Sequence, residues 1–335
     1  MPLIQVDGLS KVYRTFKRKE GVGGAILNLF HRRYEKVIAV DNISFQIEPG
    51  ELIGYIGPNG AGKSTTIKML TGILVPTSGQ IRVDRFIPYK ERKDYTRHIG
   101  VVFGQRTQLW WDIAVVESFK LLRKVYQVPQ ADFDRRMITF NKVLDIEPLL
   151  NLPVRKLSLG QRMRCDLVAS LLHNPRVLFL DEPTIGLDVI GRLSIRDFLG
   201  QINREYGTTI ILTTHDLGEI EKLCNRVMII DHGRILYDDS LDRLRQKYSL
   251  DRRIIFQLSE TFSLDLLKQR VPTNGAVTWE QPEPMRLKAV FRRDRISAAE
   301  VIGQVLHLTP VHDITIEEPS IEEIVGRIYS DGKIQ

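Results

Sequence analysis

Two cysteines in 335 residues, Cys165 and Cys224, give no basis for a disulfide framework. They have no C-x-x-C spacing and no nearby histidine pair, so a zinc site is not expected either. Reduced core thiols are the expectation. Long apolar runs are missing too. Stretches such as Leu52–Ile56 and Val177–Leu180 fall far short of the roughly 20 residues that span a bilayer, so no transmembrane helix is expected. The first residues, Met1 to Asp7, lack a basic segment followed by an apolar one; this argues against a signal peptide and for a chain that stays in the cytoplasm. Neither sign of charge dominates. The net charge of +7, from 48 Lys and Arg against 41 Asp and Glu, suits nucleic acid, anionic lipid or an ordinary basic surface. The composition, 43% hydrophobic and 27% charged, is that of folded globular proteins, and the length predicts two domains.

The chemistry-bearing residues lie in the first two thirds. Glu51–Gly57 reads as a buried strand and Ser64–Leu70 as the start of a helix. Between them, Gly57-Pro58-Asn59-Gly60-Ala61-Gly62-Lys63-Ser64-Thr65 fits G-x-x-x-x-G-K-[ST]. The glycines let backbone N–H groups wrap phosphates, and the helix N-terminus adds its positive end. Lys63 is expected to neutralise the β- and γ-phosphates of a nucleoside triphosphate and Ser64 to ligate Mg²⁺. A second apolar strand, Val177–Leu180, runs into the adjacent carboxylates Asp181 and Glu182. Alternation along a strand predicts different tasks for them. Asp181 suits Mg²⁺ through a water, and Glu182 suits polarising the attacking water.

Leu157-Ser158-Leu159-Gly160-Gln161-Arg162, just upstream of that strand, resembles the L-S-G-G-Q signature of ATP-binding cassette (ABC) ATPases, with Leu159 where glycine commonly sits. The other landmarks of the family follow in order: Gln105 matches the glutamine loop, Gly186-Leu187-Asp188 the loop after the carboxylates, and Thr214-His215-Asp216 the switch histidine. The resemblance covers about residues 3 to 240. It implies ATP and Mg²⁺ as ligands, with Gln105 sensing Mg²⁺ and the catalytic water and His215 touching the γ-phosphate. It further implies a head-to-tail dimer, most simply of two copies, each ATP held between the Lys63 of one and the Ser158 and Gly160 of the other, with Gln161 and Asp188 also among the ATP-binding residues. Tyr13 matches the adenine-stacking ring, with Tyr34 as a rival.

The implied architecture is α/β: a P-loop ABC ATPase core over residues 1–240, with a helical subdomain at about 105–160, and a small α+β domain over 241–335. In the latter the strands expected at 253–258, 275–280, 285–292 and 311–317, with helices at 261–270, 296–308 and 320–329, follow the ferredoxin-like order β-α-β-β-α-β plus a closing helix. Ser320 and Glu323 read as a capping box. A basic insertion at 17–36, net +4 (6 minus 2), carries Ile26, Leu27, Phe30 and Tyr34 at helical spacing; it is either a membrane-surface helix or a solvated loop. Trp110-Trp111, after Gln105, falls where the family meets its permease, although tryptophan is also a common core residue.

The resemblance implies the ATPase subunit of a transporter, peripheral on the cytoplasmic face of the membrane, whose permease subunits are other chains. The tail from Ile316 favours export of small molecules, and the insertion keeps polysaccharide export open. A soluble ABC protein acting on DNA or the ribosome is the rival from another class. No nucleic-acid partner is expected, since neither a second cassette nor a coiled-coil insertion is present. A catalytically dead scaffold is opposed by Lys63, Asp181, Glu182 and His215 all being there.

Overall fold

The computed structural model describes residues 1–16, 34–104, 106–214, 216–248, 251–271, 275–292 and 294–331. The chain divides into two compact units, Met1–Asp239 and Ser240–Gln335.

In the first unit β1 (Ile4–Phe16) and β2 (Tyr34–Ile47) form an antiparallel pair. β3 (Leu52–Ile56) leads into α1 (Lys63–Leu70), and β4 (Ser78–Val83) joins the free edge of β1 to give a sheet of order β2-β1-β4. After α2 (Arg92–Tyr95) and β5 (Ile99–Phe103) come three helices, α3 (Val115–Val125), α4 (Gln130–Leu144) and α5 (Leu159–Leu171). Then follow β6 (Val177–Asp181), α6 (Val189–Tyr206), β7 (Thr209–Thr213), α7 (Leu217–Leu223), β8 (Arg226–Asp231) and β9 (Arg234–Ser240). The large sheet has the order β5-β6-β7-β3-β8-β9, and β3, β5, β6, β7 and β8 pair in parallel. Its central strands are continuous apolar runs: every residue of β3 and β7 and the first four of β6 are buried. That is the pattern of parallel strands covered on both faces. Residues of both sheets share one core, with Ile4, Val6 and Leu9 packed in the same cluster as Ile53, Phe179 and Ile211.

α3 turns Val115, Ser118, Phe119 and Leu122 inward, the 3–4 spacing of a one-faced helix. α4 is fastened to α6 by Phe140, whose ring meets Phe198 edge-on at 5.8 Å. The basic insertion is shorter than expected. Tyr34, Glu35 and Lys36 pair with Phe16, Thr15 and Arg14, so β2 begins three residues before Val37; backbone pairing along the extended β1 outweighs the charge of this stretch. Residues 17–33, where the amphipathic helix is expected, lie outside the described residues.

The second unit comprises α8 (Leu241–Tyr248), β10 (Asp251–Leu258), α9 (Leu264–Arg270), β11 (Val277–Glu283), β12 (Arg286–Arg292), α10 (Ala298–Leu306), β13 (Val311–Glu317) and α11 (Ile321–Asp331). All pairs in its sheet are antiparallel and the order is β11-β12-β10-β13, the ferredoxin-like arrangement. Alternate residues fill one face: Ile254, Phe256 and Leu258 of β10 and Leu287, Ala289 and Phe291 of β12 pack with Leu267, Val301 and Val305 from the helices. The capping box expected at Ser320 is only half made. Ser320 Oγ accepts from the Glu323 amide, but the Glu323 carboxylate turns away to Arg253, which grips it with two bonds of 2.7 and 2.5 Å. A bidentate guanidinium pair outcompetes the single bond back to the helix start.

Candidate functional site

Parallel strands bring their carboxyl ends to one edge of a sheet, where ligands of α/β folds collect. Here register makes that edge specific. Phe103 pairs with Asp181, Asp181 with Thr213, Thr213 with Tyr55 and Tyr55 with Met228, so one rung crosses five strands. The phosphate-type loop leaves β3 one residue beyond this rung. It closes at Gly62, whose φ of +109° and close approach to the Ala39 carbonyl (a Cβ would lie 2.4 Å away) admit only glycine. α1 then begins at Lys63.

Lys63 is buried, and its Nζ donates to the carbonyls of Gly57 (2.6 Å) and Pro58 (3.1 Å), so the loop is wound around the ammonium. Burial lowers its pKa, and the negative charges of Glu182 and Asp181 oppose that shift. Asn59 and Gly60 are exposed at the loop's tip, and Thr65 is half-buried on the first turn of α1. Ser64 Oγ donates to Asp181 Oδ1 at 3.2 Å, which brings the two expected Mg²⁺ ligands together. Thr213 Oγ1 donates to the same oxygen at 2.7 Å.

Glu182 differs from its expected setting. β6 stops at Asp181, and Glu182 has φ +55°, with its amide donating to the Thr213 carbonyl and meeting Thr213 Oγ1. A left-handed turn, not strand alternation, separates the two carboxylates. Ser64, Lys68, Phe103, Arg106, Asp181 and Glu182 line one open cavity. Thr213, Lys68 and Arg106 escape a motif-based reading. Thr213 alone left a signal, as the last residue of an apolar strand before Thr214-His215. Glu219 is another such residue: it accepts from Thr184 Oγ1 (2.8 Å) and Thr214 Oγ1 (3.2 Å), tying the loops after β6 and β7 together. Gln105 and His215 lie outside the described residues.

Tyr13 stands half-buried on β1 opposite Val37, with Lys11 Nζ 5.4 Å from its ring centre; Tyr34 occupies a rung three residues away, opposite Phe16. Ser158 caps α5: its Oγ accepts from the Gln161 amide while Gln161 Oε1 accepts from the Ser158 amide. Gly160 follows in the first turn of that helix. Asp188 caps α6, accepting from the Gly191 amide at 2.7 Å.

The family profile described as ABC transporter matches residues 40–185, the stretch that holds the loop, the glutamine segment, the signature and both carboxylates. The ABC transporter ATP-binding protein NatA of Bacillus subtilis is 32% identical over 228 residues, 68% of this chain and 92% of NatA. The chain belongs to the ABC transporter ATP-binding proteins. The bacitracin transport ATP-binding protein BcrA of Bacillus licheniformis is 33% identical over 315 residues, 90% of this chain and 96% of BcrA, so the likeness to an ABC protein reaches into the second unit. Among solved structures, a dimeric ATP-binding cassette in a post-hydrolysis state with ADP and Pi superposes with a TM-score of 0.59 at 25% identity, over 71% of this chain and 98% of the cassette.

Within an ABC signature, Leu159 is the departure. The side chain is half-buried and lies against Gly186, where a Cβ would come within 2.8 Å of Leu159 Cδ2. The extra bulk is taken up inside the chain, next to the loop that carries Asp188. Trp110 and Trp111 are 42% and 49% exposed, so these rings are not core residues; Arg162 of α5 sits over the Trp111 ring at 5.6 Å. Among the described residues no helix is long and apolar enough to cross a membrane, and no three His, Cys, Asp or Glu side chains converge as a metal cage.

Proposed function

We propose that the chain is the ATP-hydrolysing subunit of an ABC exporter, closing on ATP as a dimer of two copies and driving separate permease subunits. One observation carries the reading: Asp181 Oδ1 accepts from both Ser64 Oγ and Thr213 Oγ1, and the charges of Asp181 and Glu182 act on the buried Lys63. In this reading Lys63 and the amides of the loop from Gly57 through Asn59, Gly60 and Gly62 to Thr65 bind the phosphates. Ser64 and Asp181 are hard oxygen donors that fit Mg²⁺, which would spread the phosphate charge when bound. Glu182 orients the attacking water and takes its proton.

Gln105 and His215 take the sensing and γ-phosphate roles of the family. Ser158, Gly160, Gln161 and Asp188 serve the ATP of the second copy, and Tyr13 stacks on adenine. Trp110 and Trp111 meet the permease, and the chain works on the inner membrane face. The likeness to BcrA, a transport protein for bacitracin by name, reaches into the C-terminal unit and supports transport, and the tail from Ile316 favours export. The two-domain division at about residue 240 belongs to the same reading, with the first unit as motor.

Glu182→Gln tests the central step. ATP binding should persist while hydrolysis falls by ~10² or more. The variant should also elute as a dimer with ATP and a monomer without it; wild-type turnover would remove Glu182 from the mechanism.

A further inference from the structure

Between β5 and α3 the chain runs through Arg106–Ala114, a stretch outside the regular elements that carries the exposed tryptophans. Its middle is gripped by α5. Asp166, in the second turn of that helix and 3% exposed, accepts at Oδ1 from Thr107 Oγ1 (2.8 Å) and from the Gln108 amide (3.0 Å), and Thr107 Oγ1 in turn accepts from the Leu109 amide (3.1 Å). The Asp166 main-chain carbonyl takes a further bond, from Gln108 Nε2 at 2.8 Å. One turn earlier on the same face, Arg162 covers Trp111. A buried carboxylate is costly in a helix that otherwise packs Cys165, Leu167, Val168 and Ala169, and it is tolerated only where its oxygens are bonded. Both side-chain bonds described for it go to neighbouring residues of one segment, Thr107 and Gln108.

We propose that Asp166 is a positioning residue: it clamps Thr107–Trp111 to α5, so that the exposed tryptophans and Ser158, the cap of the same helix, move as one body. This rests on the functional reading above. Ser158 lies eight residues (166 minus 158) before Asp166, roughly 12 Å along a stiff rod. Any movement of Ser158 toward a nucleotide on a second copy is thereby delivered to the tryptophan surface without passing through the sheet.

The test uses the full chain with Trp279→Phe, which leaves Trp110 and Trp111 as the only tryptophans. Wild type should change tryptophan emission and acrylamide quenching when Mg-ATP is added, and the Gln108 and Leu109 amides should exchange slowly. Asp166→Asn, which removes the charge and leaves a weaker, neutral carbonyl acceptor for the two donors, should bind ATP within threefold of wild type by calorimetry. Its tryptophan response should fall at least threefold and those two amides should exchange at least tenfold faster. Thr107→Val, at a half-buried loop position, should give the same pattern more weakly and serves if Asp166→Asn fails to fold. ATP binding with an unchanged tryptophan response in either variant overturns the clamp. Failure of wild type to bind ATP overturns the functional reading instead, and the exchange rates of the two amides then decide the clamp alone.

Discussion

At the ends of β3, β6 and β7 the polar side chains bind one another across strands distant in sequence, whereas at the head of α5 they bind the backbone of their own first turn. Ser64, Asp181 and Thr213 are held by bonds that span 117 and 32 residues; Ser158 and Gln161 satisfy each other over three. The first arrangement is a pocket made by tertiary structure. The second is a finished helix start, exposed at Ser158, with no further side-chain bond to Ser158 or Gln161 among the described residues, and is suited to meeting a ligand held elsewhere. A dimer of composite sites is the natural use of such a pair.

The largest expected effect falls on the tertiary half. Lys63→Ala removes the main cation facing a polyanion and should lower ATP affinity by ~10² or more, read by calorimetry with circular dichroism to establish that the loop region still folds. Next, the separation of the halves can be attacked directly. Gly160 has room for a Cβ, with the nearest atom 3.5 Å away, and an acid in the first turn of a helix is favourable, so Gly160→Asp should fold while repelling phosphate. Each variant alone should be inactive. An equal mixture of Lys63→Ala and Gly160→Asp should regain roughly a quarter of wild-type ATPase, because half of randomly assorted dimers hold one intact site of two. No recovery on mixing would place both halves on one chain.

The loop and the carboxylates were legible as motifs because each follows an apolar run: Ile56 before the loop, Leu180 before Asp181. Strand spacing reveals which residues end a strand, not which rung they share. Thr213 therefore stayed hidden, and the left-handed turn at Glu182 looked like strand alternation. The four strands of the second unit were legible because they alternate, whereas α8 was not expected. The capping box at Ser320 misread for a general reason: local pattern cannot see Arg253, 70 residues away, competing for Glu323. The start of β2 misread likewise, since pairing with the far end of β1 is invisible in a run of mixed charges.

Smaller effects sharpen the contrast at its margins. Tyr13→Ala should weaken ATP by ~1–2 kcal/mol through lost stacking, measured by titration. If Tyr34→Ala does this and Tyr13→Ala does not, adenine lies three rungs along the ladder.

An effect of similar size concerns the joint between the helices after β5 and the sheet. His173 stacks on Tyr126 at 4.0 Å and bonds to the Ile99 carbonyl, and burial pushes its pKa down to about 4. Between pH 6.5 and about 4 the unfolded chain carries the proton and the folded chain does not, so the stability of this joint is full above 6.5 and lost as pH falls. Asp166, raised to about 6 chiefly by burial, works the other way: its contribution is full below 3.8 and lost as pH rises through about 6. His173→Phe should thus reduce the loss of Tm between pH 7 and pH 5 by several degrees, on the order of 2 kcal/mol, in thermal melts. An unchanged acid limb would exclude His173 as its source.

The shared rung also has a consequence for synthesis on the ribosome. Its members are Tyr55, Phe103, Asp181, Thr213 and Met228, so the loop that carries Lys63 is made long before the carboxylate it faces. A nascent chain that ends short of β7 holds every residue of the phosphate loop but lacks Thr213, the rung partner through which Asp181 reaches β3, and such long-range pairing is slow and leaves strand edges open meanwhile. Once Met228 has paired, the rung is complete, and the second unit, the last 96 residues (335 minus 239), is still to be made. A growing chain could therefore capture nucleotide before its C-terminal unit exists, with the bound ligand favouring the closed rung while the remainder emerges.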